Sequence, residues 1–213
     1  MSGHVDIEWF DLVGESAADA VAAAVRDLPA DELARAGRLK QPGHREQWLA
    51  GRVQVRRALS DRLGIAPARV PIVTRLGGKP AVDGDPLRFN LSHSGDVLLL
   101  AVSADREVGV DVERAEASRD LVALARRYFS DAEAAAIGTT ADVPTSFFRA
   151  WTRKEAVAKC LGVGVFGGVM DRTLTLGAND ISGRHVVLND LDAPPGYLAA
   201  VAHEASGLEI PTA

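Results

Sequence analysis

The sequence predicts an α+β fold made of two similar halves joined near residue 105, with a cleft between them. Three observations predict it. Each half carries a long helical stretch that ends in Leu-Gly, at Leu63-Gly64 and at Leu161-Gly162. Each stretch is followed by short strand-like segments and then by a final apolar strand, at residues 97–103 and 197–202. The composition, 47% apolar and 25% charged over 213 residues, belongs to a globular chain long enough for one large domain or two small ones.

Val5, Ile7 and Trp9 alternate with Asp6 and Glu8, which is the period of a half-buried strand. Residues 16–28 are Ala-rich without an internal breaker and predict a helix. A longer helix is expected over 45–63, closed by Gly64, since glycine enters the left-handed region without a Cβ clash. The β-branched stretch 70–74 reads as a short strand, and Gly77, Gly78 and Pro80 form a loop around Lys79. Residues 89–91 read as a strand, 92–96 as a turn, 97–103 as a buried strand and 108–113 as its hairpin partner. The second half is expected to hold helices near 120–128, 131–137 and 145–161, then strands at 173–176, 185–188 and 197–202. The tail from residue 205 is expected to be dispensable.

Composition narrows the function classes. The longest uninterrupted apolar run, residues 97–102, is far too short to span a bilayer, and His4, Asp6 and Glu8 stand where an export signal needs bases and then apolar residues. A soluble cytoplasmic protein is expected. Cys160 is the single cysteine, which excludes an internal disulfide and a cysteine-rich zinc site and leaves oxygen or imidazole to hold any metal. A formal charge of −5 argues against general nucleic-acid binding. Residues 35–62 nevertheless hold eight bases against Glu46 and Asp61, a run that reads either as a solvated helix face or as an anion site.

Asp111 and Glu113 lie two apart in Val-Gly-Val-Asp-Val-Glu, so a strand sends both carboxylates to one face and Val110 and Val112 to the other. Like charges held together are costly unless a cation sits between them, and hard oxygen ligands suit Mg²⁺. The alternative is a solvent-facing acidic pair on an amphipathic strand. Gly109, just before the pair, permits close approach of a ligand or another backbone.

Phe147, Ala150, Trp151, Ala158 and Leu161 recur at helical spacing, and Glu155 stands at the edge of that stripe, four residues after Trp151 and four before Lys159. Either Glu155 and Lys159 form a routine surface pair worth about 0.2–0.5 kcal/mol, or they supply a third carboxylate and a cation for a phosphate oxygen. The second reading requires this helix to pack beside the Asp111 strand. Ser92-His93-Ser94-Gly95 sets an imidazole between two hydroxyls in a tight turn, able to meet a phosphate or simply to bond within the turn. Gly77-Gly78-Lys79-Pro80 lacks the spacing of a P-loop and by itself is a turn with a lysine at its tip.

In this order, Gly-Lys-Pro at 78–80, Phe-Asn-Leu-Ser-His-Ser-Gly at 89–95, Val-Gly-Val-Asp-Val-Glu at 108–113 and Trp-x-x-Lys-Glu-Ala-x-x-Lys at 151–159 resemble the 4′-phosphopantetheinyl transferases. Length and two-part layout are similar to the monomeric, surfactin-synthetase-activating type. The motif-bearing resemblance runs from about residue 77 to residue 162, with a looser match over 35–57.

The resemblance implies two similar α/β halves in a pseudo-dimeric arrangement with the active site between them. Residues 1–104 would contribute to coenzyme A binding, and residues 105–213 would carry the metal and catalytic groups. It implies transfer of the phosphopantetheine arm of coenzyme A to a serine of an acyl or peptidyl carrier protein, with Mg²⁺, or Mn²⁺ in its place, held by Asp111, Glu113 and Glu155. Glu155 would deprotonate the serine directly or through a metal-held water, and Lys159 would neutralise the leaving phosphate. Lys154 is a second contact for the pyrophosphate. Arg45, Lys79, Ser92 and His93 align with positions that meet the 3′-phosphate and nucleotide end of coenzyme A. Ala30 and Leu33 stand where the family often has lysines, which turns attention to Arg35, Arg38 and Lys40.

A monomer is expected, with neither nucleic acid nor membrane as partner. Carrier proteins are generally acidic, so Arg114, Arg119, Arg126, Arg127, Tyr128 and Phe129 are expected to offer an apolar surface with a basic rim, unless they form a partly buried helix with solvated arginines. Cys160 is expected to be a buried helix residue. Two other readings remain at this level. One is a Mg²⁺-dependent phosphodiesterase or nucleotidyltransferase, distinguished by its independence of a carrier. The other is a pseudoenzyme that binds coenzyme A or the carrier, against which the three acids and Lys159 argue.

Overall fold

The computed structural model describes residues 4–75, 77–116, 120–164 and 168–205. Strand β1 (Val5–Asp11) is followed by helices α1 (Gly14–Asp27), α2 (Ala30–Gly37) and α3 (Pro42–Leu63), then by strands β2 (Ile72–Thr74), β3 (Pro80–Val82), β4 (Arg88–Ser94), β5 (Val97–Ser103) and β6 (Val108–Arg114). Helices α4 (Leu121–Tyr128), α5 (Asp131–Thr139) and α6 (Val143–Leu161) and strands β7 (Gly177–Ile181), β8 (Arg184–Leu191) and β9 (Tyr197–Glu204) follow. The class is α+β with antiparallel sheets in the orders β1-β5-β4 and β6-β9-β8-β7, plus a β2-β3 ribbon. Among the described residues no helix is long and apolar enough to cross a membrane.

β5 is buried along its whole length because it has a core on each face. Leu98, Leu100 and Val102 join the cluster formed with α1 and α3. Leu99 and Ala101 pack with Val108, Val110 and Val112 of β6 and with Ala199 and Val201 of β9, so the two larger sheets share one apolar layer. The long helices end as their glycines predict: Gly64 and Gly162 cap α3 and α6 at φ 66° and 68°. At the other end of α6 the Asp142 side chain accepts from the Thr145 N–H at 3.1 Å.

Four local expectations are corrected. β6 is not the hairpin partner of β5, because β1 and β4 occupy both edges of β5; β6 pairs with β9 instead, with Asp111 opposite Ala200. The turn expected over 92–96 is only Gly95-Asp96, since Ser94 still pairs with Val97. Residues 173–176 are not a strand, which begins at Gly177. Helix α2 and strand β3 lie where no element was expected. Of the tail, Ala205 donates its N–H to the His185 carbonyl at 2.9 Å, and residues 206–213 lie outside the described residues.

The contact that positions the site is α6 against β6. A Cβ at Gly109 would stand 2.1 Å from the Ala156 carbonyl oxygen and 2.2 Å from the Cys160 nitrogen, so only glycine allows this approach. The backbone reading of Gly109 therefore holds.

Candidate active site

Along β6, Val108, Val110 and Val112 enter the shared core, which turns Gly109, Asp111 and Glu113 toward α6 and β4. Asp111 is 3% exposed. Burial pushes its carboxyl above the ordinary value, against the charge and hydrogen bond of Lys159 and the hydroxyl of Ser92. The Glu155 carboxyl is raised too, by burial first and then by the negative charges of Asp111 and Glu113, while Lys159 pulls it down. Glu155 on α6 thus feels both acids of β6. Lys159 Nζ donates to Asp111 Oδ1 at 2.6 Å and to Ser92 Oγ at 3.1 Å, so its direct partner is Asp111 on the neighbouring strand rather than Glu155 one turn away.

β4 faces β6 with every second side chain. Asn90 Oδ1 accepts from the Val110 N–H at 2.9 Å, Ser92 Oγ donates to Asp111 Oδ1 at 2.8 Å, and Ser94 Oγ donates to Glu113 Oε2 at 2.9 Å. The Arg114 N–H in turn donates to Ser94 Oγ at 3.1 Å. Asn90 was not singled out from the sequence, and Ser94 only as one of the two hydroxyls flanking His93. Their signal was the alternation Asn90, Ser92, Ser94, hidden when residues 92–96 are taken as a turn.

Asp111 Oδ2 is buried without a hydrogen-bond partner among the described residues. A buried carboxylate oxygen left orphaned is costly unless something outside the chain satisfies it. An oxygen-only donor set in which Asp111 and Glu113 raise the proton affinity of Glu155 fits a small hard cation such as Mg²⁺. No three acid, histidine or cysteine side chains among the described residues are already gathered as a ligand set, and the Lys159 ammonium occupies Asp111 Oδ1.

The other predicted residues divide. His93 is exposed, on the face of β4 opposite Ser92, so imidazole and hydroxyl diverge. Arg45 is half-buried near the start of α3 and donates to the Leu39 carbonyl at 3.2 and 2.7 Å. Ser92 is buried and bonded to Asp111 and Lys159. Lys79 donates its ammonium to Glu107 Oε2 at 2.7 Å, the Val108 carbonyl at 2.9 Å and the Cys160 carbonyl at 3.3 Å, which engages all three donors.

Lys154 is 1% exposed, bonded to Glu133 Oε2 at 3.0 Å and to the Arg172 carbonyl, and stands 5.2 Å from the Phe129 ring centroid. Although adjacent to Glu155, it is turned roughly 100° around the helix and faces α5. Cys160 is buried as expected, its thiol pushed up to about 12 mainly by burial.

Much of the basic stretch is internally neutralised. Arg52 and Arg56 bind Glu32, Arg57 binds Asp27, and Arg62 binds Asp6 and Glu8. Arg35, Arg38 and Lys40 are exposed, and none makes an ion pair among the described residues. On the expected carrier surface Arg114, Arg126 and Arg127 are exposed, whereas Phe129 is core, stacked on Phe147; Arg119 lies outside the described residues. A groove of about 700 Å³ between α1 and the start of α3, walled by Leu12, Ala17, Val21 and their neighbours, contains none of Asp111, Glu113 and Glu155.

Residues 107–201 match the family model described as the 4′-phosphopantetheinyl transferase superfamily. The chain is 40% identical over 145 residues to 4′-phosphopantetheinyl transferase HetI of Nostoc sp., covering 65% of this chain and 61% of the relative. It is 43% identical over 124 residues to 4′-phosphopantetheinyl transferase AcpT of Salmonella typhi, covering 55% and 59%. With a phosphopantetheinyl transferase of Thraustochytrium sp. it shares 30% identity over 181 residues, covering 78% and 62%. The chain spans about three fifths of the length of these curated relatives.

Proposed function

We propose that this chain, whose residues 107–201 match the 4′-phosphopantetheinyl transferase superfamily, transfers the 4′-phosphopantetheine arm of coenzyme A to a serine of an apo acyl or peptidyl carrier protein. The observation that carries this reading is the meeting of Asp111 and Glu113 on β6 with Glu155 and Lys159 on α6. The serine Oγ forms a bond to the phosphorus that bears pantetheine, the bond from that phosphorus to the bridging oxygen breaks, and 3′,5′-ADP departs with the electron pair.

Glu155 accepts the serine proton, a task suited to a carboxylate whose proton affinity is raised by burial and by two acidic neighbours. Lys159 lies in the same cluster and neutralises the departing phosphate. Asp111, Glu113 and Glu155 would hold Mg²⁺ or Mn²⁺, which when bound offsets the negative charge of the pyrophosphate. His93 and Arg45 meet the nucleotide end of coenzyme A, with Arg35, Arg38 and Lys40 near enough in sequence to assist. Residues 1–104 supply these cofactor contacts and residues 105–213 the acids and the base. The protein acts as a cytoplasmic monomer, and its macromolecular partner is the carrier, with no nucleic acid or membrane involved.

The test is intact-mass analysis of an apo carrier protein incubated with this protein, coenzyme A and Mg²⁺. The carrier is expected to gain one phosphopantetheine arm, and to gain none in a chelated control or with Asp111→Ala. No gain across carriers of several biosynthetic types would overturn the proposal.

A further inference from the structure

We infer that Ser94 is a positioning residue for the acid pair, acting from the β4 side, and that Ser92 and Asn90 complete a ladder that holds β6 in register. The ladder follows from a strand's period of two. Asn90, Ser92 and Ser94 leave the same face of β4, and each engages β6: at the Val110 N–H, at Asp111 Oδ1 and at Glu113 Oε2.

β4 and β6 belong to different sheets, so no backbone ladder fixes one against the other; side chains do that work. Each hydroxyl donates to one carboxylate, which sets the side-chain rotamer without neutralising the charge. Ser94 is itself fixed, because its Oγ accepts from the Arg114 N–H at 3.1 Å while donating to Glu113. At Asp111, Ser92 and Lys159 both sit on Oδ1, and the partnerless Oδ2 is the oxygen left for a ligand.

Groups that orient metal ligands from behind alter metal affinity when removed, by about 10–100-fold. This inference rests on the cation reading of the acids given above.

The experiment is titration of Mn²⁺ into the full chain, followed by the loss of the free-ion electron paramagnetic resonance signal with and without coenzyme A. Wild type, Ser94→Ala and Ser94→Thr are compared after thermal unfolding has shown each to be folded. Ser94→Ala is expected to weaken Mn²⁺ retention about tenfold, with an unchanged Michaelis constant for coenzyme A at saturating metal, and Ser94→Thr, which keeps the hydroxyl, to restore it. An Ala variant that retains Mn²⁺ like the wild type would overturn the positioning role and leave the transferase reading standing. A wild type that neither binds Mn²⁺ nor modifies a carrier would overturn the transferase reading, and the inference with it.

Discussion

The Lys159 ammonium lies 2.6 Å from Asp111 Oδ1, joining the C-terminal turn of α6 to the middle of β6. The Asp111 side chain is 4% exposed and that of Lys159 29%, so this is a largely desolvated charge pair rather than a surface one. Removing either partner leaves the other poorly compensated. A double-mutant cycle on Asp111→Asn and Lys159→Met, followed by denaturant unfolding, is expected to give a coupling of about 0.5–3 kcal/mol. Additive effects would show that the ammonium does not hold the carboxylate.

Glu155→Gln keeps the size of the side chain and removes the base. It is expected to lower carrier modification by roughly 10²–10⁴-fold with little change in unfolding temperature, because the amide still fills the space beside Asp111 without adding a charge. Single-turnover mass spectrometry at saturating coenzyme A checks this. A rate within twofold of wild type would remove Glu155 from the proton transfer.

What was legible in the sequence is what is written locally. The alternation around Asp111 and the Leu-Gly endings of α3 and α6 are each fixed by a few neighbouring residues, and the structure carries all of them. Gly109 announced a close approach, and its partner proved to be the backbone of α6. The pairing of β6 was not legible, since β5 and β9 are both apolar strands and nothing near Val108 says which one it meets. The partners of two cations were hidden for the same reason. Lys79 and Lys154 look unpaired along the chain, but their acids, Glu107 and Glu133, come from 28 and 21 residues away. A turn drawn three residues too long hid which face of β4 Ser92 leaves.

Lys79 separates a structural tie from a coenzyme contact. Its ammonium joins the β2–β3 turn to Glu107, to β6 and to the end of α6, and Glu107 is held below its ordinary value, with burial opposing and Lys79 and Arg75 prevailing. Lys79→Met is expected to cost about 1.5–3 kcal/mol while leaving the Michaelis constant for coenzyme A within twofold. His93→Ala is expected to do the reverse, raising that constant with unchanged stability. A large rise with Lys79→Met in a fully folded variant would restore it to the cofactor site.

Glu32 gives the pH dependence of stability. Burial pushes its carboxyl up, but the hydrogen bonds and charges of Arg56 and Arg52 more than offset this, and the net shift is downward. A carboxyl with a lower pKa folded than unfolded stabilises the fold above its unfolded value, and that contribution is lost as pH falls through the folded value. Wild-type unfolding temperature is therefore expected to drop between about pH 5 and pH 3. Glu32→Gln should start lower at pH 7 and fall less steeply over the same range. Parallel curves for the two proteins would show that Glu32 carries none of the acid sensitivity.

Gly109→Ala tests whether the α6–β6 approach serves the chemistry as well as the fold. The added methyl would stand 2.1 Å from the Ala156 carbonyl oxygen and 2.9 Å from the Cys160 Cα, both backbone atoms of α6 that no side-chain rotation can clear. The helix must move outward, and Glu155 and Lys159 move with it. Overpacking of this kind costs typically about 1–3 kcal/mol, so a population of folded protein should survive at low temperature. In that folded population, carrier modification is expected to fall by a larger factor than stability alone explains, because the acids on β6 stay in place while Glu155 and Lys159 on α6 withdraw. Recovery of full activity at a temperature where Gly109→Ala is folded would show that the separation of β6 and α6 is not set as tightly as the reaction requires.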